Sequence, residues 1–232
     1  MRHQGQLREV DSGIWEAPGS LRLLGVLELG HRMTVIRSER GELVLHAPGE
    51  PTPELIDELK QLGPVRAILA PSAIHDLHLA RWPRSLPHAA LLGAPGLAER
   101  HPDLEFAGEL TPETIGELGV GLELFSIEGM PRINERALLH QPTRTLIVAD
   151  LAFNLEEPRS WTEGLLQRLF GLHGGLRVSR LFRLMIRDRG RFRASVRRVL
   201  EQDFDRLIVG HGAIVETGAR GRLRVAFDRF GI

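Results

Sequence analysis

The feature that most constrains the fold of this sequence is an alternation of short apolar runs with longer segments of helical periodicity. Residues 33–37, 43–46 and 65–70 are rich in β-branched and aliphatic side chains, which predicts strands. Residues 52–62 carry leucines and an isoleucine at helical spacing, which predicts a helix that begins at the first or second of these residues. Because the two patterns alternate through both halves of the chain, we expect an α/β fold with helices flanking sheets.

The same patterns predict further elements along the chain. In order, these are a helix over 72–82, a strand over 88–92, a short helix over 95–101, a strand over 122–127, a hairpin of 137–140 with 146–148, a helix over 161–172, a helix over 192–200, a strand over 207–209 and a helix over 219–230. The helix over 161–172 places Leu165, Leu166, Leu169 and Phe170 on one apolar face.

The length of the chain allows one large domain or two small ones, because 232 residues exceed the roughly 150 typical of one domain. Apolar residues make up 42% and charged residues 26% of the chain, which excludes a disordered or fibrous protein. No linker of low complexity separates the two halves. We therefore expect a single domain over residues 1–232.

Composition also narrows the chemistry and the partners. The chain has no cysteine, which excludes disulfides, thiolate zinc sites and cysteine nucleophiles. Thirty basic and thirty acidic residues balance, so net charge gives no reason to expect nucleic acid or a membrane as the main partner. No apolar run approaches the roughly 20 residues that span a bilayer. Met1–Gln4 is polar and lacks the apolar core of a signal peptide, so a cytoplasmic protein is expected.

Polar side chains of the kinds that bind metals follow three apolar strands. His75, Asp76 and His78 come after the strand over 65–70, Asp150 comes directly after residues 146–149, and His211 stands between two glycines after residues 207–209. In open α/β sheets, sites are built at such strand ends. Each place also has a purely structural explanation. His75, Asp76 and His78 suit the exposed first turn of a helix, Asp150 suits a cap for the following turn, and His211 suits a simple β-turn.

Together these three places resemble the metallo-β-lactamase fold superfamily. Residues 146–153 resemble the strand that delivers the bridging aspartate, and residues 209–212 resemble the last histidine motif. Residues 71–78 lie where that family places its His-x-His-x-Asp-His loop. The resemblance runs from about Gly13 to Phe230 and implies a four-layer αββα sandwich with mixed sheets. More narrowly, a divergent branch is indicated by Leu45-His46-Ala47-Pro48, Ala70-Pro71 with His75, Trp82, Ala94-Pro95-Gly96-Leu97 and Asn134-Glu135.

The chain departs from the family pattern at most of the histidine positions. On the alignment implied by the resemblance, Asp76, Asp150 and His211 match ligands, whereas the remaining four positions are taken by Ser72, Ile74, Leu77 and Met130. The three matches, with His75 as a fourth ligand if the loop is rebuilt, could hold one divalent ion of zinc, iron or manganese, or none. Asp76 is also the candidate catalytic base. Glu135 and His140 are possible replacements for the missing ligands. A position on the surface of a helix or strand is the simpler explanation for both residues.

Three functions follow from this pattern. The loss of most histidines favours a degenerate member that binds a small-molecule ligand without hydrolysing it. The alternative is a single-metal hydrolase that acts on an ester, lactone, amide or phosphoester. A third candidate is binding of an anionic partner through Arg177–Arg198, which holds nine arginines and one acid; a solvated helical face explains the same pattern. Nothing in the sequence specifies the ligand or the oligomeric state.

Overall fold

Two β-sheets stacked face to face form the centre of the molecule. The computed structural model describes residues 6–231, so the polar segment Met1–Gln4, used above to predict the compartment, lies outside the described residues. The strands are β1 (Arg8–Asp11), β2 (Ile14–Gly19), β3 (Arg22–Leu23), β4 (Leu27–Glu28), β5 (His31–Arg37), β6 (Leu43–His46), β7 (Val65–Ala70), β8 (Ala90–Gly93), β9 (Gly108–Glu109), β10 (Leu122–Ser126), β11 (Arg136–His140), β12 (Thr145–Val148), β13 (Phe153–Leu155), β14 (Gly175–Arg177) and β15 (Arg206–Val209).

Helices cover the outer faces of both sheets. They are α1 (Pro53–Leu62), α2 (Trp82–Ser85), α3 (Leu97–Arg100), α4 (Pro112–Glu117), α5 (Trp161–Phe170), α6 (Arg180–Met185), α7 (Arg189–Leu200) and α8 (Ala219–Phe230). The sequence explains where α1 begins. The Thr52 hydroxyl accepts the amide hydrogen of Leu55, and Pro53 has no amide hydrogen that would be left without a partner in the first turn. Among residues 6–231, no helix has the length and apolarity to span a bilayer.

Both main sheets mix parallel and antiparallel pairs. The first has seven strands in the order β1-β2-β5-β6-β7-β8-β9, with the antiparallel part leading into parallel pairs from β6 onward. The second has four strands in the order β10-β11-β12-β15, and β12 and β15 are parallel. The chain therefore crosses over between β12 and β15, which brings the carboxyl ends of these two strands side by side.

Alternation along the strands explains the layers. Ile36, Val44 and Leu69 of the first sheet pack against Leu138 and Ile147 of the second, forming the core between the sheets. Their chain neighbours point the other way, towards α1 and Trp82 on one side and towards α7 and α8 on the other. Burial on both faces requires the nearly continuous apolar runs seen in the sequence. The predicted four-layer αββα sandwich with mixed sheets is confirmed.

The predicted helix over 72–82 is wrong. Residues after β7 form an irregular loop with one 3₁₀ turn over Leu79–Arg81, followed by the short α2. The amide hydrogen of Ala73 is donated to the carbonyl of Ile133 at 2.7 Å, and the Ser72 hydroxyl donates to Asp150. These long-range hydrogen bonds draw the start of the segment towards the other sheet and replace the helical pattern.

The helix predicted over 161–172 is present as α5 but presents its apolar residues differently. Ser160 caps it and Gly171, with φ of 72°, ends it. Leu166 and Phe170 pack against the core, whereas Leu165 and Leu169 are exposed to solvent. The apolar face predicted from the spacing is thus divided between the core and the surface.

Candidate metal centre

Three buried side chains from distant parts of the chain meet at one edge of the sandwich. Asp150 follows β12 and His211 follows β15, and because Val148 and Val209 are paired in register, the two residues lie next to each other. His75 comes from the loop after β7 in the other sheet. One potential ligand atom from each of His75, Asp150 and His211 lies within 4.8 Å of the other two.

The Asp150 carboxylate is the centre of this group. Its Oδ2 atom lies 2.9 Å from Nδ1 of His75, and its Oδ1 atom lies 3.2 Å from Nε2 of His211. The Ser72 hydroxyl donates a further hydrogen bond to Oδ2 at 3.2 Å. A buried carboxylate needs such partners, because leaving the charge unpaired away from water costs several kcal/mol.

The contacts of His211 fix which of its nitrogens carries a proton. Nδ1 lies 2.7 Å from the carbonyl oxygen of Gly30, which can only accept, so Nδ1 donates. Nε2 then faces the Asp150 carboxylate, and either a second proton or a cation must lie between these two acceptors. A histidine held by a backbone carbonyl on one nitrogen is the usual arrangement of metal ligands. Phe153 stacks on the ring at 5.1 Å between centroids.

The glycines on both sides of His211 allow close backbone contacts. A Cβ atom at Gly210 would lie 2.6 Å from the carbonyl oxygen of Ala149, and one at Gly212 would lie 2.1 Å from that of Asn154. Gly212 also has a φ of 92°, a conformation that favours glycine. The short sequence Gly-His-Gly therefore positions the imidazole against β12 and the residues that follow it.

Glu135 supports Asp150 through the backbone. The Glu135 carboxylate is buried and accepts the amide hydrogens of Ala149 at 2.9 Å and of Asp150 at 3.1 Å. Burial and the nearby Asp150 charge raise the pKa of Glu135 to about 8. The suggestion that Glu135 replaces a lost ligand is not what the structure shows: its oxygens are occupied in shaping the turn that presents Asp150.

The ionisation of Asp150 and His75 is set by their mutual contact. Burial raises the pKa of Asp150, but the charge and hydrogen bonds of His75 and His211 outweigh burial and hold this pKa far below its usual range. Burial lowers the pKa of His75, but Asp150 outweighs this effect, and the pKa of His75 is raised. The site therefore contains a carboxylate with a strong preference for a neighbouring positive charge.

Three more histidines surround the group, two of which the sequence did not single out as candidates for the site. The ring of His31 lies 5.6 Å from that of His75 and 6.3 Å from that of His78. Burial, reinforced by His75 and His211, lowers the pKa of His31 well below its usual value, and burial lowers that of His46 to about 3. Both imidazoles are neutral near pH 7. His31 begins β5 and His46 ends β6, and the two strands are antiparallel, so both histidines lie at the same edge of the sheet. This shared position is the one signal in the sequence that could have indicated a site.

Asp76 does not join this group, although its neighbour His75 does. Its Oδ2 atom lies 2.9 Å from Nε2 of His101 and 3.7 Å from Arg100. Residues 72–78 form an irregular loop with turns instead of a helix, so the neighbours His75 and Asp76 have different partners. His140 is also remote, since its Nδ1 atom contacts the Thr143 hydroxyl at 2.7 Å in the β11–β12 hairpin. Met130 is buried in the core beneath the second sheet.

The donor set of the group fits one metal ion. Two imidazoles and one carboxylate suit zinc or iron, and one coordination position would remain for water or substrate. His75 and His211 contact different oxygens of Asp150, and one ligand atom from each of the three residues lies within 4.8 Å of the other two. Ligand atoms of a tetrahedral zinc site with bonds of about 2.0–2.1 Å lie roughly 3.3 Å apart, so the three side chains are near enough to close around one ion. Nε2 of His75 is buried without a hydrogen-bond partner among the described residues, as expected of a ring that can turn towards a cation.

An apolar cavity of about 240 Å³ opens beside the three residues. His75, Asp150 and His211 contribute to its wall. Most of the remaining wall is aliphatic or aromatic, formed by Leu21, Leu23, Leu29, Pro48, Ile74, Leu77, Phe153, Phe170, Leu172, Leu181 and Phe182. No lysine or arginine of the described residues lines it. The site thus combines one polar corner with a pocket suited to an apolar group.

The four-layer sandwich, with His75, Asp150 and His211 at its edge, is the metallo-β-lactamase fold. Solved structures that it resembles include the DIM-1 metallo-β-lactamase exposed to ceftazidime, with 11% identity over 98% of each chain and a TM-score of 0.66. FIM-1 from Pseudomonas aeruginosa in its mono-zinc form is 12% identical over 98% of this chain and 96% of that one, with a TM-score of 0.65. A metallo-β-lactamase from Erythrobacter litoralis is 14% identical over 96% of each chain, with a TM-score of 0.64.

Sequence comparison adds a narrower match. Residues 14–97 match a family model described as a domain of unknown function, DUF4336. No curated protein sequence matches the chain. The matched segment contains His31, His46 and His75 but ends before Asp150 and His211. At identities near 12%, the structural relatives show the fold, and the chemistry must be argued from the residues of this chain.

Proposed function

We propose that the protein is a single-metal hydrolase that cleaves an uncharged ester or lactone with an apolar chain. The observation that carries the proposal is the meeting of His75, Asp150 and His211 in the wall of the apolar cavity. This reverses the order favoured by the sequence, in which the missing histidines made a non-hydrolytic member the first choice. Three ligands and one open position are the ordinary composition of a catalytic zinc site.

The residues of the chain have separate tasks in this scheme. A bound divalent ion would supply a water of lowered pKa and polarise a carbonyl. Asp150, fixed by Ser72 and by the turn that Glu135 shapes, and His211, fixed by Gly30, would hold the ion. His31 is neutral near pH 7 and lines the same cavity, so it can accept a proton from the attacking water. We do not retain Asp76 as the base, because it pairs with His101.

The lining of the cavity selects among the possible substrates. A phosphoester or a carboxylate-bearing substrate would need a cation besides the metal, and no lysine or arginine among residues 6–231 lines the cavity. The apolar wall would instead bind the acyl or alkyl chain of a substrate and exclude water from it. Burial of each methylene contributes about 0.8 kcal/mol, so catalytic efficiency should rise with chain length until the cavity is full.

Metal content and hydrolysis test this proposal together. We expect protein purified without a metal-affinity step to carry about one equivalent of zinc, iron or manganese, and Asp150→Ala and His211→Ala to lose it. Aryl esters from acetate to octanoate should be hydrolysed with rising kcat/KM, and an aryl phosphodiester should not. The matched control is Asp76→Asn, which removes a nearby carboxylate outside the group and should retain the metal. Metal-free protein without esterase or lactonase activity after metal addition would overturn the proposal.

A second candidate function has one observation in its favour. The Asp150 carboxylate already has hydrogen-bond partners on both of its oxygens, in His75 and Ser72 on one and His211 on the other. A protein that keeps this network without a metal would use the apolar cavity to bind a hydrophobic ligand. Binding of an uncharged fluorescent probe with an alkyl chain that is unaffected by chelators and by Asp150→Asn would support this function over hydrolysis.

A further inference from the structure

Helix α5 buries polar residues and exposes part of its apolar surface. Its buried residues are Glu163, Gly164 and Gln167. Trp161, Leu165 and Leu169, spaced four residues apart along one stripe, are 80%, 56% and 62% exposed. The buried polar groups are satisfied, because Glu163 accepts the Arg159 amide hydrogen and Gln167 donates to a backbone carbonyl. An exposed apolar stripe on a surface helix is unfavourable in water unless something covers it.

Other exposed apolar residues belong to the segments that form the same cavity. Of the ten large hydrophobic side chains exposed among residues 6–231, nine lie on four such segments; Val225 is the tenth. We call these nine residues the apolar collar: Leu24, Val26, Ile74, Leu77, Trp161, Leu165, Leu169, Leu181 and Leu184. Three of them, Ile74, Leu77 and Leu181, also line the cavity, so the collar reaches its wall.

Arginines accompany the collar along α6 and the two residues that follow it; the three of them are called the α6 arginines below. Arg180, Arg183 and Arg187 are exposed and are interleaved with Leu181 and Leu184. No acidic side chain of the described residues forms an ion pair with these three arginines. The α7 part of the arginine-rich segment differs, because Arg191 pairs with Asp188 and Arg198 pairs with Glu128.

We propose that the apolar collar and the α6 arginines dock on an anionic lipid surface, from which the cavity takes its substrate. Exposed leucines with a tryptophan suit the boundary between head groups and acyl chains, and interleaved arginines suit anionic head groups. The identity of the substrate that enters the cavity rests on the proposed function. Docking on the lipid surface does not, because it needs no catalysis.

Two other occupants fit the surface less well. A two-fold dimer would place the same patch of both copies together, which brings the α6 arginines of one copy, none of which has an acidic partner among the described residues, near those of the other. Nucleic acid would use the arginines but would leave the exposed leucines in water, and Trp161 is the single aromatic residue of the collar, too few for a base-stacking surface. Only a lipid surface satisfies both the apolar and the basic parts.

Vesicle co-sedimentation tests the proposal directly. The vesicles consist of ether-linked phosphatidylcholine, alone or with about one-third ether-linked phosphatidylglycerol, so that no ester can be cleaved. The variant Arg180→Gln/Arg183→Gln/Arg187→Gln should bind the anionic vesicles on the order of 100-fold more weakly than the unaltered protein. The variant Trp161→Ala/Leu165→Ser/Leu169→Ser should lose at least about tenfold, because it removes apolar area that would be buried.

Matched controls separate docking from general changes in charge or folding. Val225→Ser removes an exposed apolar side chain outside the collar, and Arg220→Gln/Arg222→Gln/Arg224→Gln removes three exposed arginines of α8. Both controls should bind as the unaltered protein does. Equal loss in test and control variants, or absence of binding to anionic vesicles, would overturn the proposal.

Two further results would assign the surface to another occupant. The collar would be assigned to a second copy of the chain if the protein does not bind vesicles but forms a concentration-dependent dimer that Trp161→Ala/Leu165→Ser/Leu169→Ser abolishes. Binding of DNA or RNA with a steep salt dependence, without vesicle binding, would assign the arginines to nucleic acid. Failure of the hydrolase proposal would leave the vesicle result unchanged, because the vesicles contain no bond to hydrolyse.

Discussion

At the scale of single residues, the site depends on side chains whose partners are backbone groups. Gly30 holds His211 through a carbonyl, and Glu135 holds the Asp150 turn through two amide hydrogens. Such contacts fix the direction of a ligand without contributing a ligand atom, and their loss commonly weakens metal binding about 10- to 100-fold. Substitutions of these supporting residues should therefore weaken metal binding although no ligand atom is removed.

Replacing Glu135 with glutamine tests this support. A glutamine side chain has one oxygen and one NH₂ group, so one of the two amide hydrogens now bound by Glu135 would face a donor. Near pH 9, above the pKa of Glu135 of about 8, its carboxyl is ionised, and we expect Glu135→Gln to lower the free energy of unfolding there by about 1–3 kcal/mol and to weaken metal binding. Urea unfolding measures the first effect. Glu128→Gln, which removes an exposed partner of Arg198, should change stability by less than about 1 kcal/mol.

A glycine substitution tests how His211 is presented. Gly212→Ala adds a Cβ atom at a φ of 92° and 2.1 Å from the Asn154 carbonyl oxygen, so the backbone must move. We expect a loss of about 1–3 kcal/mol in stability together with loss of bound metal. The control, Gly221→Ala, lies inside α8 with open space around it and should be stabilising by roughly 0.5–1 kcal/mol. Retained metal in Gly212→Ala would mean that the tight contact does not position His211.

At the scale of elements, local signals in the sequence predict those helices and strands whose backbone hydrogen bonds are made within the helix or with neighbouring strands. The helix α1, with its Thr52 cap, and the strands β5 and β6, with their turn between, follow from such signals. The loop after β7 could not be predicted, because the amide of Ala73 bonds to Ile133, a residue 60 positions away. For the same reason, the sequence matched Asp76 with Asp150 and His211 and gave His75 only as a fourth ligand, whereas in the structure His75 joins Asp150 and His211 and Asp76 does not.

The β3–β4 hairpin beside the cavity is held by one acidic residue. The Glu28 carboxylate accepts hydrogen bonds from Ser20, Leu21, Gly30 and Arg22. Burial raises the pKa of Glu28, but these hydrogen bonds outweigh it and the pKa is lowered below its ordinary value of 4.5. The contribution of Glu28 to stability is thus present above pH 4.5 and is lost as the pH falls through the lowered pKa.

Unfolding midpoints of the unaltered protein and of Glu28→Gln, compared across pH, test this assignment. The two midpoints should differ near pH 7 and should converge once the pH has fallen through the lowered pKa of Glu28, where both side chains are uncharged. Glu39→Gln, at an exposed position in the β5–β6 turn, should match the unaltered protein throughout. A difference that stays constant with pH would show that the ionised carboxylate does not hold the hairpin.

At the scale of the whole molecule, the candidate metal centre joins the two sheets. His75 belongs to a loop of the seven-stranded sheet, whereas Asp150 and His211 follow strands of the four-stranded sheet. The apolar collar likewise combines segments from several parts of the chain, which is why a net charge of zero concealed a locally basic and apolar surface. Occupation of the site should therefore stabilise the packing of one sheet on the other.

Thermal unfolding with and without zinc tests this link between the sheets. A ligand that binds only the folded state stabilises it by about 2.7 kcal/mol at 100 times its Kd, which corresponds to a rise in Tm of roughly 5–10 °C for a chain of this size. His75→Ala removes the single ligand contributed by the first sheet, so zinc should raise its Tm much less. His88→Ala, at an exposed position outside the group, should respond as the unaltered protein does. If zinc raised the Tm of His75→Ala as much as that of the unaltered protein, the ion would be held within the second sheet alone and would not couple the two.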